Sequence, residues 1–136
     1  MRLTRIVAVT LLLALLTTSA ACASNTTVDA EKMRANVRGD IAQVMTDIAA
    51  AEEADPSIAL SSNPFTYAEK SPALDRLVAR GTPALESVVS EIEDSPENGL
   101  REYLLAIAGQ RILGGEKIKG AWSTGKEWAG YYRANK

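Results

Sequence analysis

The chain has 136 residues, with 15 basic and 17 acidic side chains, one cysteine and no histidine. A lone cysteine excludes a disulfide within the chain. The lack of histidine removes the usual general base, the commonest transition-metal ligand and the side chain that titrates near neutral pH. The acidic balance, net −2, argues against nucleic acid as a partner. No CxxC, HExxH or glycine-rich phosphate loop occurs, so neither a metal nor a cofactor is expected.

The first element is a leader. Arg2 and Arg5 precede Ile6 to Leu16, an uncharged apolar run of 11 residues, and Thr17 to Ala21 is small and polar. The run is too short for a hydrocarbon core, which takes about 20 residues, and the layout is that of a signal peptide. Two processing chemistries compete at its end. Ala21-Cys22-Ala23 fits the A-x-A rule, with secretion after cleavage following Ala23. Ser19-Ala20-Ala21-Cys22 resembles a bacterial lipobox, with Ser19 where leucine is preferred. That resemblance implies acylation of Cys22, attachment to the membrane through lipid, and an extracytoplasmic location. Several acyl chains make such an attachment stable where one would not. The division expected is 1–21 signal peptide, 22–27 polar tether and 28–136 one helical domain. The sequon at Asn25 to Thr27 fits N-glycosylation, and the lipobox resemblance, which implies a bacterial source, counts against its use.

Charge is uneven along the remainder. Residues 22–110 carry 15 acidic and 7 basic side chains, whereas residues 111–136 carry 6 basic and 2 acidic. A basic tail on an acidic body either docks onto it or meets an anionic surface such as lipid headgroups or wall polymer.

Helix signals dominate from Val28 onward. Met33, Val37, Ile41, Val44 and Ile48 recur at steps of three and four, one apolar stripe. Thr26 and Asp29 have capping-box spacing, and Asp55-Pro56 marks a stop. Gly39 weakens the middle of this helix by about 1 kcal/mol relative to alanine. The helix ends on acids, Asp47, Glu52, Glu53 and Asp55, which oppose its dipole unless they are solvated or covered by a basic element. Residues 56–71 read as an irregular crossing pinned by Phe65 and Tyr67, with a turn at Asn63-Pro64. Ser71-Pro72 then opens a helix burying Leu74, Leu77 and Val78. Gly81 supplies a left-handed stop and Thr82-Pro83 restarts at once. The next helix buries Leu85, Val88, Val89 and Ile92. After the loop Ser95 to Gly99, Leu100 to Leu113 is apolar enough to be the central helix, ended by Gly114-Gly115.

This pattern predicts an all-α protein, a small bundle of four to five helices. The order helix, R-G-T-P-A-L, helix, loop, helix over Ser71 to Leu113 resembles the helix pairs of HEAT-like repeat proteins. The chain is also similar to small uncharacterised secreted helical proteins of bacteria. Both resemblances imply a fold and a compartment, not an activity.

Thr124 and Glu127 cap a last helix, with Trp122 just before it and Trp128 within it, near the spacing of a hydrophobic staple. The two tryptophans fall here with Tyr131 and Tyr132. They form either an aromatic platform for sugar rings or a peptide, flanked by Lys126 and Arg133, or the closure of the bundle's open end. The candidate binding residues are therefore Trp122, Lys126, Trp128, Tyr131 and Tyr132. No catalytic residue is assigned. The expected function is a non-enzymatic binding module of the envelope, meeting an envelope protein or wall polymer. The alternatives are a structural subunit of an envelope complex and an exported hydrolase using a carboxylate pair from Glu52, Glu53, Glu91 and Glu93. Adjacent glutamates point roughly 100° apart on a helix and do not face one another.

Overall fold

The computed structural model describes residues 19–115 and 121–136, with only the backbone described for residues 19–26. The described residues form six α-helices and one 3-10 turn, with no strand. We label the helices α1 (Ser19–Ala54), α2 (Pro64–Ala68), α3 (Pro72–Ala79), α4 (Thr82–Asp94), α5 (Leu100–Ile112) and α6 (Gly125–Ala134). The chain is all-α, as its apolar periodicity predicts. It divides between Met33 and Arg34 into two compact units. In the first, the described part is the opening of α1, where Val28 is exposed and Met33 half-buried.

The second unit holds the core. The stripe on α1 is real: Val37, Ile41, Val44 and Ile48 are all buried. Gly39 lies on the solvent side with no atom within 4 Å of where a Cβ would stand, so no packing uses it. The start of α1 differs from expectation. The helix runs from Ser19, so Thr26 lies inside it rather than at its N-cap, and residues 22–27 are helical in backbone. The Asp55-Pro56 stop holds, with Asp55 accepting from the Ser57 backbone N–H at 3.0 Å.

The crossing at 56–71 is more ordered than its composition implies. It holds a 3-10 turn, Ile58–Leu60, and the short helix α2. Asn63 caps α2 through its side-chain oxygen, which accepts from Phe65 N–H at 3.1 Å, and Pro64 takes the first turn. Tyr67 pins the segment as expected, buried and donating its hydroxyl to the Ser61 carbonyl. Phe65 does not, being 49% exposed. It sits one turn position away from the buried Tyr67–Ala68 face, and a five-residue helix has too few turns to bury both.

Ser71 caps α3 as read, accepting from Leu74 N–H at 3.1 Å. Gly81 links α3 to α4 with φ 67° and ψ −156°, a backbone region open essentially only to glycine. Leu85, Val88, Val89 and Ile92 of α4 are buried together. Helix α5 is central: it packs against α2, α3, α4 and α6. It buries Leu104, Leu105, Ala106, Ile107 and Ala108, nearly a full circumference. Gly114 and Gly115 stop the chain beyond it at φ 76° and 79°.

Polar ties fix the helices to one another. Asp40 on α1 receives Arg76 Nε at 2.8 Å and Arg80 Nη2 at 2.6 Å from α3 and its C-cap. Burial works to raise this carboxyl, and the hydrogen bonds and charges of the two guanidiniums outweigh it, holding it below the ordinary carboxylate range. Asp47, one of the acids that seemed to oppose the α1 dipole, accepts from Ala73 N–H and the Ser71 hydroxyl at 3.0 Å each. It therefore sits at the positive N-terminal end of α3, where an anion is favourable.

Candidate functional site

The aromatic end is built from α5 and α6. Thr124 Oγ1 accepts from Glu127 N–H at 3.2 Å, and Glu127 reaches back to Ser123 N–H at 2.7 Å, so the expected cap forms with its return bond one residue earlier. Gly125 lies hard against α5: an added Cβ would stand 2.3 Å from the Glu102 carbonyl oxygen. Gly109 on α5 leaves the opposing space, which the Trp128 ring fills. Trp128 is 0% exposed, donates its indole N–H to Gln110 Oε1 at 2.9 Å, and stacks on Tyr132 at 5.9 Å between ring centroids.

Of the two readings, these positions match closure by Trp128 and Tyr132. Trp128 offers no face to a ligand, because the glycine-lined space on α5 draws the ring inward. Tyr132 is half-buried and donates its hydroxyl to Glu86 on α4. Burial and that carboxylate raise the Tyr132 phenol. Lys126 is spent on structure, donating Nζ to the Ser95 carbonyl at 2.7 Å. Trp122 does not staple Trp128 but leans on Tyr103 at 4.8 Å. Tyr131 alone of the five is exposed, at 38%. The side chain of Cys22 lies outside the described residues, as does the leader through residue 18.

The basic tail docks. Arg133 pairs with Glu86 at 2.7 Å and with Glu93 at 2.8 Å, and Lys136 also reaches Glu86. Hydrogen bonds from Lys136 and Arg133 pull Glu86 down to about 2. The Arg133 hydrogen bond likewise lowers Glu93. Among the proposed acid pair members, Glu91 is held between Arg38 at 3.1 Å and Arg101 at 3.2 Å. Glu102, buried, is lowered despite its burial by the Gly99 N–H, the Ser95 hydroxyl and Arg101. Glu52 is half-buried and Glu53 exposed. Glu86, Glu91, Glu93 and Glu102 are thus ion-pair and capping groups of the fold.

A second place was not singled out by the sequence. A hollow of about 370 Å³ is lined by Arg34 and Arg38 of α1 and by Glu86, Ser87, Ser90, Glu91 and Asp94 of α4. Ser87, Ser90, Glu91 and Asp94 follow one another at steps of three, one and three, which places them on one helix face. Two serines where larger residues would fill the gap leave it concave. That spacing was the available signal. Among the described residues, no group of histidine, cysteine, aspartate and glutamate is arranged to hold a metal ion.

Comparison with known proteins finds no matching family model, no matching curated protein and no matching solved structure. The likeness of Ser71 to Leu113 to HEAT-like pairs thus rests on the sequence pattern alone.

Proposed function

We propose that the chain is an exported, lipid-anchored helical interaction module of the bacterial cell envelope, acting by binding rather than by catalysis. Export and anchoring rest on the charged, apolar and small segments of residues 1–21 and on Cys22 directly after them. Among the described residues no helix is long and apolar enough to cross a membrane. The observation that carries the binding reading is the polar hollow between α1 and α4. Its volume falls within the range of ligand sites, about 300–1,000 Å³. A carboxylate-pair hydrolase needs one acid raised into the neutral range. Of the candidate acids, Glu93 is instead lowered by Arg133, and Glu91 is held between Arg38 and Arg101.

The test has two arms. Mass spectrometry of the membrane fraction should find an acylated N-terminal Cys22, and Cys22→Ser should release the protein from that fraction. A mature N-terminus at Ser24 would defeat the anchor. Cross-linking in intact cells should then join the anchored protein to an envelope component through the α1–α4 hollow. A second reading, an assembly subunit, is favoured by Leu60, 87% exposed, beside the exposed Phe65 segment. Self-association at micromolar concentration in analytical ultracentrifugation would favour it over the first.

A further inference from the structure

We infer that the surface made by the 3-10 turn and α2 docks a basic amphipathic segment of another protein, its apolar side chains on Leu60 and Phe65 and its cations on the acids beside them. The inference needs neither export nor the α1–α4 hollow.

The apolar pair selects the place. Among the described residues the large hydrophobic side chains left exposed are Val28, Leu60, Phe65 and Tyr131, and two of these fall within 60–65. Leu60 is 87% exposed and Phe65 49%. The segment that carries them is tied down. The Ser61 hydroxyl donates to Thr66 Oγ1 at 3.3 Å, and the Tyr67 hydroxyl to the Ser61 carbonyl at 3.1 Å. Leu60 precedes Ser61 and Phe65 precedes Thr66, so this cross-tie brings the two positions together. Ile58, Tyr67 and Ala68 are buried and anchor the segment to the core. A backbone already fixed lowers the ordering cost of association.

Charge selects the partner. Helix α1 ends just before this surface, and its last turn carries Glu52 and Glu53 and no cation. Acids there oppose the helix dipole, whose C-terminal end is itself negative. Asp47, farther up α1, is matched by Ser71 and Ala73 of the α3 start. Glu52, Glu53 and Glu69 have no ion-pair or hydrogen-bond partner among the described residues. The Glu69 N–H donates to the Phe65 carbonyl at 3.1 Å, which puts Glu69 one turn beyond Phe65. The Ser57 hydroxyl and N–H lower the Asp55 carboxyl, and Lys70 adds to the effect, so the ends of α1 and α2 are neighbours. Residues 52–70 thus hold Glu52, Glu53, Asp55 and Glu69 against Lys70 alone. Exposed acids occur elsewhere on the chain. Among the described residues, an exposed apolar pair beside acids at a helix C-terminus occurs only here. A cation brought to it gains from the carboxylates and from the dipole together. A second copy of this surface would set acids against acids, and an anionic lipid surface would be repelled in the same way.

The probe is a short helical peptide of leucine and lysine with its leucines on one face. One control has glutamate for every lysine, the other glutamine for every leucine. Each is titrated into the full chain in neutral detergent micelles and read at the amides of Leu60, Phe65 and Glu69. Peptide taken up by the micelles then counts alike for every variant. The leucine–lysine peptide should bind saturably and both controls should not. Leu60→Ser should weaken it about tenfold. Glu53→Gln combined with Glu69→Gln should weaken it about threefold at low salt, a loss that vanishes near about 1 M salt. Tyr131→Ser and Glu97→Gln, an exposed aromatic and an exposed acid elsewhere, should leave it unchanged. All these side chains are exposed, so the variants should keep the parent's urea midpoint. Absence of saturable binding overturns the inference. So does an equal loss in Glu97→Gln, which makes the binding general to acidic surface. Broadening of the Leu60 and Phe65 amides by a spin-labelled lipid in the micelles gives the pair to lipid instead. Dimerisation in analytical ultracentrifugation that Leu60→Ser abolishes gives it to a second copy. Either result overturns the inference too. None of these outcomes touches the acylation of Cys22 or cross-linking at the hollow, so the readings fail separately.

Discussion

Replacing Gly109 by alanine should destabilise the protein, against the usual effect of that change in a helix. Alanine at a helix interior is favoured over glycine by about 1 kcal/mol. At Gly109 the new methyl would stand 2.1 Å from Trp128 Cη2, 2.6 Å from Cζ2 and 2.9 Å from Cζ3. The ring cannot yield cheaply. It is fully buried, hydrogen-bonded through its indole to Gln110 and stacked on Tyr132. Overpacking of this kind costs about 1–3 kcal/mol, and three contacts below the van der Waals limit place it at the upper end. The net is a loss of about 2 kcal/mol, or roughly 10 °C in Tm for a domain of this size. Gly39→Ala is the internal control. It stands in α1 with open space around the added methyl, so there the helix preference acts alone and should stabilise by up to about 1 kcal/mol. Urea unfolding of both variants, followed by circular dichroism, reads the sign directly. If Gly109→Ala matched or exceeded the parent's midpoint, the placement of Trp128 against α5 would be wrong.

Three further outcomes follow from the same packing. Trp128→Ala should cost about 3–5 kcal/mol in urea unfolding as a core cavity, while Tyr131→Ala, at a 38% exposed position, should stay within about 0.5 kcal/mol. Gly81→Ala should destabilise by about 1–3 kcal/mol in the same assay, since φ 67° with ψ −156° excludes a Cβ without strain. Stability should fall with acid: Glu86, lowered to about 2, binds its proton less readily folded than unfolded. Its contribution is therefore complete above the unfolded value, near 4.3, and is lost as pH drops toward 2. Asp40, Asp47, Glu93 and Glu102 act in the same direction. Arg133→Gln should flatten that acid limb in pH-dependent thermal melts, and an unchanged limb would contradict the docking of the tail.

The helices were legible where one face alone is buried. The α1 stripe and the four buried positions of α4 follow from spacing, and the stops at Gly81 and Gly114-Gly115 follow from backbone freedom. Legibility failed where tertiary contact overrides local composition. In PSIALSSNPFTYAEKS the pair Asn63-Pro64 has the same cap-then-proline form as Ser71-Pro72, but a five-residue helix carries too little apolar period to distinguish it from a turn. The aromatic end stayed open between platform and closure for a related reason. Aromatic clustering is visible in sequence, but whether a ring faces outward depends on a glycine in another helix, here Gly109 facing Trp128. The α1–α4 hollow escaped because concavity is made by what is small, Ser87 and Ser90, and small residues carry no signal until their neighbours are known.

The charge asymmetry of the chain resolves into used and unused groups. Arg133 pairs with Glu86 and Glu93, and Lys136 with Glu86, so the end of α6 is tied to α4. The same pairing takes acids from one face of α4. On the neighbouring face, Glu91 is taken by Arg38 and Arg101, which leaves Asp94 on the α4 side and Arg34 on the α1 side unclaimed. Folding thus pairs part of the acidic body with basic groups, and leaves Arg34 and Asp94 unpaired at the α1–α4 hollow. A binding surface on this protein is expected where charge is left over. By that criterion the α1–α4 hollow outranks the aromatic end, where Trp128, Tyr132, Lys126 and Arg133 are already committed to holding helices together.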